Sequence, residues 1–203
     1  MVRIREDYYF DEPGEHNTDD VIEAVKKRLS ATGIRHIVVA STSGKTAMKF
    51  AEVLGKQAKI ISVGHPQYVK ELGSKWPLLN PDYEKKLEKL GVTVIDRVPY
   101  AFHSSILENS KWPQVTPEIL LRETFFTLGQ GFKVAVEVAM MAVACGVLKP
   151  YQDIIGVGGT SRGADTAVIL RATYPATAFS KDPNKRLEIR EIIAMPRIKT
   201  KRD

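Results

Sequence analysis

Short apolar runs alternate with longer segments of helical periodicity along most of this chain, and this alternation constrains its fold more than any other feature. The run at residues 34–40 ends in four consecutive apolar residues, as is typical of a strand buried on both faces of a parallel sheet. A loop of small polar residues at 41–44 and a predicted helix, Lys45–Leu54, follow it. The same reasoning predicts strands at Lys59–Val63, 92–95, 153–157 and Thr166–Arg171, and helices at 17–33, 80–90, 117–127 and 132–144.

The connections between the predicted strands indicate how they pair. Strands separated by helices favour parallel pairing through right-handed crossovers. The loop between strands 153–157 and Thr166–Arg171 is too short for a crossover, so the latter strand is expected to return antiparallel. Residues 187–194 mix the two periodicities and favour neither a helix nor a strand.

Length and composition are those of one globular domain. The chain has 203 residues, of which 43% are hydrophobic and 27% charged, and this matches ordinary globular usage. We therefore expect a single α/β domain over residues 1–203. Within it, 1–16 form an N-terminal arm, and 175–203 form a C-terminal extension that packs on the domain or trails from it.

The charge pattern narrows the expected partners. Thirty Lys and Arg residues against 24 Asp and Glu residues give a net charge of +6, which suits anionic ligands. The basic C-terminal segment has few aromatic residues to stack on bases, so no nucleic acid is expected. The longest apolar stretch, 134–148, contains Glu137 and is shorter than the roughly 20 residues of a membrane span. Neither a membrane partner nor a signal peptide is expected.

The cysteine and histidine content bears on redox and metal chemistry. The single cysteine, Cys145, excludes an intramolecular disulfide and a cysteine-rich zinc site, and it favours a cytoplasmic location. Its apolar neighbours predict a place in the core. The four histidines show no spacing typical of metal ligands, so no metal site is expected.

The segment from Val39 to Thr46 is the most informative for function. A loop of small residues between a buried strand and a helix presents backbone N–H groups, hydroxyls and the positive end of a helix dipole, which together favour phosphate. Val39 stands where a P-loop requires glycine, so ATP hydrolysis is not expected. The alternative is a helix capped by Ser and Thr that binds no ligand. The candidate phosphate ligands are Ser41, Thr42, Ser43, Gly44, Lys45 and Thr46.

A second loop, at residues 156–166, carries four glycines and Asp165. It could be a flexible hairpin turn, but if its strand lies beside strand 34–40, both loops emerge where ligands of open α/β sheets bind. Arg162 would add positive charge there. His65, after the second strand, is either a ligand contact or an ordinary loop residue. The candidates in this loop are Gly158, Gly159, Thr160, Arg162, Gly163, Asp165 and Thr166.

Glu137 lies within an apolar helix, where an unpaired carboxylate would be costly. Lys133, one turn earlier, is its structural partner in one interpretation. In the other interpretation, burial raises the pKa of Glu137 and suits its carboxyl group to proton transfer or to contact with a ligand hydroxyl. Gly129 and Gln130, just before this helix, are either ligand contacts or a plain turn between helices.

Several segments together resemble one family. They are Asn17-Thr18, Ala40-Ser-Thr-Ser-Gly-Lys-Thr-Ala47, Gly129-Gln-Gly131, Gly158-Gly-Thr160 with Gly163-Ala-Asp-Thr-Ala167, and Ile192-Ile-Ala-Met-Pro-Arg197. In order and spacing they resemble the stand-alone, mostly archaeal proteins that are similar to the C-terminal α/β domain of pyruvate kinase. The resemblance covers residues 13–197. It implies a three-layer α/β/α sandwich whose mixed, mostly parallel sheet has five strands in the order 3-2-1-4-5, the last antiparallel.

The resemblance also implies a ligand. In pyruvate kinase the corresponding loop and the turn before the last strand hold the phosphates of a sugar bisphosphate, whereas members of the stand-alone family are associated with flavin mononucleotide (FMN). The catalytic barrel of pyruvate kinase is absent, so that activity is not expected. The leading hypothesis is a protein that binds a phosphorylated small molecule, FMN, with its phosphate on residues 41–46. A second copy of the chain, in a homo-oligomer, is among its expected partners. The alternatives are a flavin-dependent oxidoreductase with His65 or Glu137 handling protons, and a regulatory module that senses sugar phosphates.

Overall fold

A mixed seven-stranded sheet forms the centre of the molecule. The computed structural model describes residues 2, 4–104, 107, 110–112 and 114–200. Within them, the order across the sheet is β1-β7-β6-β5-β2-β3-β4. The strands are β1 (Tyr8–Phe10), β2 (His36–Ala40), β3 (Lys59–Val63), β4 (Thr93–Ile95), β5 (Asp153–Gly158), β6 (Thr166–Arg171) and β7 (Glu188–Pro196).

The predicted count of five strands is wrong, because the sheet has two more. The five predicted strands are β2 to β6, which lie side by side, and β7 and β1 extend the sheet beyond β6. β7 lies within the predicted C-terminal extension. Its first half carries Glu188, Arg190 and Glu191, which pair with basic or acidic residues of neighbouring elements. These charges conceal the alternation of a strand.

Strand directions follow the predicted connections. β2 pairs in parallel with β3 and β5, and β3 pairs in parallel with β4. The short connection after β5 makes β6 antiparallel to β5, as predicted, and β6 is also antiparallel to β7. β1 pairs in parallel with the end of β7. The sheet is therefore mostly parallel, with β6 as the reversed strand in its interior.

Helices cover both faces of this sheet. Ile37 and Val39 of β2 pack with the first three helices, whereas Val38 faces the last one. The helices are α1 (Thr18–Thr32), α2 (Lys45–Leu54), α3 (Pro81–Lys89), α4 (Pro117–Phe126) and α5 (Gln130–Ala144). α5 is buried along nearly its whole length, which confirms the central position that its apolar sequence predicts, whereas α4 lies against it with no fully buried residue.

Local signals set several helix ends. α1 ends at Gly33, whose φ of 72° is the left-handed conformation of a C-terminal cap. Asn80 caps α3, since its Oδ1 accepts from the N–H groups of Asp82 (2.8 Å) and Tyr83 (3.4 Å). The expected core position of Cys145 is wrong, because it follows the last turn of α5 and is exposed.

None of the helices in the described residues combines the length and the apolar character that crossing a membrane requires.

Candidate functional site

A cleft of about 640 Å³ opens at the carboxyl ends of β2, β3 and β5. β2 connects through α2 to β3 on one side, whereas β5 lies on its other side, so the strand order reverses at this point. Open α/β sheets bind their ligands at such a reversal. One face of α5 forms the floor, with Gln130, Lys133, Val134, Glu137, Val138 and Met141.

Most of the predicted ligand-binding residues line this cleft, and the others lie nearby. The residues that line it are Ser41, Thr42, Ser43, Lys45, Thr46, His65, Gln130, Glu137, Gly159, Arg162 and Gly163. The remaining predicted residues do not line the cleft but lie within three positions along the chain of residues that do: Gly44, Gly129, Gly158, Thr160, Asp165 and Thr166.

Two amides at the start of α2 are capped from within the loop. Ser41 is buried, and its Oγ accepts from the N–H of Ala47 at 3.0 Å. Ser43 Oγ accepts from the N–H of Lys45 at a long 3.4 Å. These two hydroxyls therefore act as helix caps, which is the alternative that the sequence left open for them.

Three other amides of the same loop are unpaired. Within the described residues, the N–H groups of Thr42, Ser43 and Thr46 have no hydrogen-bond acceptor. Thr46 is only 9% exposed and lines the cleft, and its hydroxyl has no hydrogen-bond partner in the described part of the chain either. Because unpaired N–H groups at the start of a helix bind anions well, these donors favour an anionic ligand.

Gly44 serves a different purpose from the predicted one. It caps α2 with a φ of 89°, and a Cβ built on it would lie 2.9 Å from side-chain atoms of Leu79 and Tyr83. The residue therefore allows the loop to pack against the segment around α3, and it does not face the cleft.

Charged residues surround the mouth of the cleft. Lys45 Nζ pairs with Glu15 Oε1 at 2.6 Å, and Lys49 Nζ pairs with Asp19 Oδ1 at 2.7 Å. Arg162 lines the same mouth, and within the described residues its side chain has no ion pair or hydrogen bond. Arg162 thus offers a guanidinium to an anion that enters the cleft.

A buried ion pair lies at the inner end. Lys133 and Glu137, 1% and 2% exposed, pair one helical turn apart, which confirms the structural interpretation of the sequence. Glu137 Oε1 also accepts from the N–H groups of Phe102 (3.0 Å) and His103 (2.7 Å). Both carboxylate oxygens are therefore held, and Glu137 anchors the 100–104 segment to α5.

The segment anchored by Glu137 supplies site residues that the sequence analysis did not identify. Tyr100 and His103 line the cleft. The Tyr100 hydroxyl forms a hydrogen bond with His65 Nδ1, and Lys133 Nζ lies 2.6 Å from His103 Nδ1. The rings of Tyr100 and His103 have centroids 4.9 Å apart. No local periodicity marks this segment, and the sequence offers no signal for it beyond the presence of a tyrosine and a histidine.

Asp165 organises the turn after β5 and is not exposed to the cleft. Its Oδ2 accepts from the N–H groups of Thr160 (2.9 Å) and of Gly14 in the N-terminal arm (3.1 Å). Its Oδ1 accepts from the Thr166 hydroxyl at 2.8 Å. Asp165, Thr160 and Thr166 therefore position the wall of the cleft and hold the arm against it.

The glycines of the same turn permit close packing. A Cβ on Gly158 would lie 2.1 Å from the carbonyl oxygen of Gly131 in α5, and one on Gly159 would lie 2.4 Å from the carbonyl oxygen of Gly163. Gly129 precedes α5 and packs against Lys199. These contacts, rather than close approach to a ligand, require glycine at positions 158 and 159.

We expect His65 to be neutral at pH 7. Burial of the ring lowers its pKa, and Lys133 lowers it further, while Glu137 opposes both. Burial raises the pKa of Tyr100, so its hydroxyl keeps its proton and is able to donate it to His65 Nδ1. Because the pKa of His65 in the folded chain lies below 6.5, the unfolded chain binds a proton at this ring at a higher pH than the folded chain does. Protonation of His65 therefore lowers the free energy of unfolding as the pH falls through 6.5.

The imidazole titration of His65, followed by NMR and assigned with a His65→Gln variant, should therefore have its midpoint below 6.5. A midpoint at or above that value would show that Glu137 dominates and would contradict the expectation.

No protein-family model matches this sequence. Among the described residues, no three His, Cys, Asp or Glu side chains lie close enough to hold a metal ion together.

Proposed function

We propose that this protein binds a phosphorylated small molecule in the cleft at the carboxyl ends of β2 and β5. The single observation that carries the proposal is the start of α2, where the amides of Thr42, Ser43 and Thr46 and the Thr46 hydroxyl have no partner among the residues that the structure describes. One helix-terminal contact contributes only about 0.3–1 kcal/mol, so several donors must converge on a dianion. Arg162, across the mouth, adds a charge-assisted donor.

FMN is the ligand that we propose for this site. It carries one phosphate and a planar ring system, and a cleft of about 640 Å³ is within the usual range for ligands of this size. The polar loop suits the phosphate, whereas the rings of Tyr100, His103 and His65 at the inner end suit a planar group. The resemblance to the stand-alone family supports the same ligand.

A flavin-dependent oxidoreductase is the second candidate function. Bound flavin would supply hydride-transfer chemistry, while the chain would bind, orient and exclude water. The observation in favour is the hydrogen bond between Tyr100 and His65 at the cleft wall, which places a neutral imidazole where a proton could be moved. Glu137 is less suited to this role, since Lys133, Phe102 and His103 hold both of its oxygens.

The direct test is to identify what the purified protein carries. Mass spectrometry of the small molecules released on denaturation should show FMN, and added FMN should raise the melting temperature of stripped protein. A colourless protein with no thermal shift at excess FMN would contradict the flavin proposal. Reduction of the bound flavin by a nicotinamide cofactor, with reoxidation by a defined acceptor, would support the second candidate.

Replacing Thr46 with valine tests the loop itself. Valine keeps the shape but removes the unpaired hydroxyl, and a hydrogen bond to a charged group contributes about 1.5–3 kcal/mol. We expect Thr46→Val to weaken FMN binding by about tenfold or more, as measured by quenching of flavin fluorescence. Thr32→Val is the matched control, because Thr32 lies near the amino end of β2, away from the cleft at the carboxyl end. Its hydroxyl donates to the carbonyl oxygen of Arg28. Equal affinities of the two variants would mean that Thr46 does not contact the ligand.

A further inference from the structure

The N-terminal arm places a carboxylate at the mouth of the candidate phosphate site. Glu15 begins a short 3-10 turn, Glu15–Asn17, and lines the cleft. Its Oε1 lies 2.6 Å from the Nζ of Lys45, the first residue of α2. The carboxylate is thus paired with the lysine that stands next to the unpaired amides of Ser43 and Thr46.

The backbone of Glu15 is held on both sides. Gly14 donates its N–H to the buried Asp165, as described above. The Thr18 hydroxyl donates to the Glu15 carbonyl oxygen at 2.6 Å and accepts from the N–H of Ala164 at 3.1 Å. The arm is therefore fastened to the turn after β5, while the Glu15 side chain is 42% exposed and can rotate.

Positive charges gather around this carboxylate. The hydrogen bond with Lys45, the charge of Lys45 itself and the more distant charges of Arg162 and Lys49 all lower the pKa of Glu15. Lys49 is in turn paired with Asp19. The Glu15 carboxylate thus lies in the field of the same cations that a phosphate in the cleft would use.

We propose that Glu15 is an intramolecular competitor of the ligand's phosphate for Lys45, and that it sets the affinity of the site. The inference rests on the proposed phosphate binding. A phosphate on the loop amides would either take Lys45 from Glu15 or lie beside a lysine whose charge is already compensated. In both cases the carboxylate weakens binding, because like charges repel and an opposite charge is withheld.

Because Glu15 weakens binding, the consequence is a ligand that the site can release and exchange. Since an exposed ion pair contributes little to stability, Glu15 can be removed without harm to the fold. Its pairing with Lys45 contributes little to the stability of the folded chain, but it lowers the affinity of the site for an anion.

The test uses the full-length protein, stripped of small molecules, with inorganic phosphate measured by calorimetry and FMN by fluorescence quenching. Glu15→Gln keeps the shape and removes the charge, and we expect it to tighten the binding of both probes at least fivefold. Glu23→Gln is the matched control, because it removes the same charge from an exposed pair with Lys26 that does not line the cleft, and it should change affinity less than twofold. Melting temperatures of both variants verify that the fold is retained.

A double-variant cycle locates the effect. In a Lys45→Met background the carboxylate has no lysine to withhold and only its direct repulsion remains, so adding Glu15→Gln should tighten binding by a clearly smaller factor than in the unaltered protein. A gain of the same size with and without Lys45 would overturn the inference, as would equal gains for Glu15→Gln and Glu23→Gln, or weaker binding by Glu15→Gln.

The outcomes separate this inference from the proposed function. If the unaltered protein binds a probe and Glu15→Gln does not tighten it, the competitor role is wrong and the site stands. If neither the unaltered protein nor Glu15→Gln binds phosphate or FMN at millimolar concentration, both proposals are wrong. Binding by Glu15→Gln alone would support both.

Discussion

Replacing Lys133 with methionine is expected to lower the free energy of unfolding by about 3–5 kcal/mol, which is the usual cost of leaving one partner of a buried ion pair alone. Lys133 is 1% exposed, and its ammonium lies between Glu137 and His103 Nδ1. Methionine fills a similar volume, so packing changes little and the loss is mainly electrostatic. Urea unfolding followed by circular dichroism gives the free-energy difference.

A second variant separates the charge from the packing. Glu137→Gln in the Lys133→Met background removes the uncompensated carboxylate but keeps an oxygen that can accept from the N–H groups of Phe102 and His103. This double variant should recover at least half of the lost stability. A loss below about 1 kcal/mol in the single variant would contradict the account, because it would show that water or another group replaces the ammonium.

The helices and inner strands could be predicted because each is encoded locally. α2, β3 and β6 have the predicted bounds, and α1 ends at the predicted glycine. In β2 a run of apolar residues follows a predicted helix and precedes a loop of small polar residues, and no distant residue is needed to recognise it. The antiparallel direction of β6 follows from the length of one loop, which is also a local property.

The two added strands depend on contacts between distant parts of the chain. β1 is three residues long and pairs with β7, as in the register of Tyr8 with Ala194. Nothing near Tyr8 in the sequence indicates that partner. The charged side chains of β7 are accommodated on a half-exposed strand because Arg5, Arg28 and other distant side chains form ion pairs with them. Periodicity carries no information of this kind.

The candidate site shows the same division. The hydroxyl-rich loop and the spacing of Lys133 and Glu137 are local, and both were predicted. Tyr100 and His103 lie on an irregular segment that α5 holds in place, so neither spacing nor composition identifies them. Glu15 reaches the cleft only because Asp165 holds the arm.

Glycine was the most ambiguous signal. A glycine that admits a phosphate and a glycine that admits a neighbouring helix look the same in a sequence. In β5, the backbone of α5 approaches the strand so closely that only glycine fits at positions 156 and 158. Close packing of a helix on a strand therefore accounts for these glycines without a ligand, and the sequence could not distinguish the two explanations.

Gly158→Ala should accordingly act on the fold, and we expect it to lower the free energy of unfolding by at least about 3 kcal/mol, at the upper end of overpacking effects. The new Cβ would lie 2.1 Å from the carbonyl oxygen of Gly131 and 2.7 Å from the backbone nitrogen of Ala135. Both are backbone atoms of α5, so no side chain can rotate away and the helix itself must move. Urea unfolding measures the loss.

Gly64→Ala is the matched control for this substitution. Gly64 follows β3 at the same edge of the sheet, but a Cβ there would meet its nearest atoms, in Asp96 and Ile95, at ordinary contact distances of 3.7 Å. Its stability should change by less than about 1 kcal/mol, and the reduced freedom of the unfolded chain favours a small gain. If Gly158→Ala were as stable as Gly64→Ala and lost only affinity for FMN, α5 would be able to retreat from β5, and Gly158 would be a ligand contact after all.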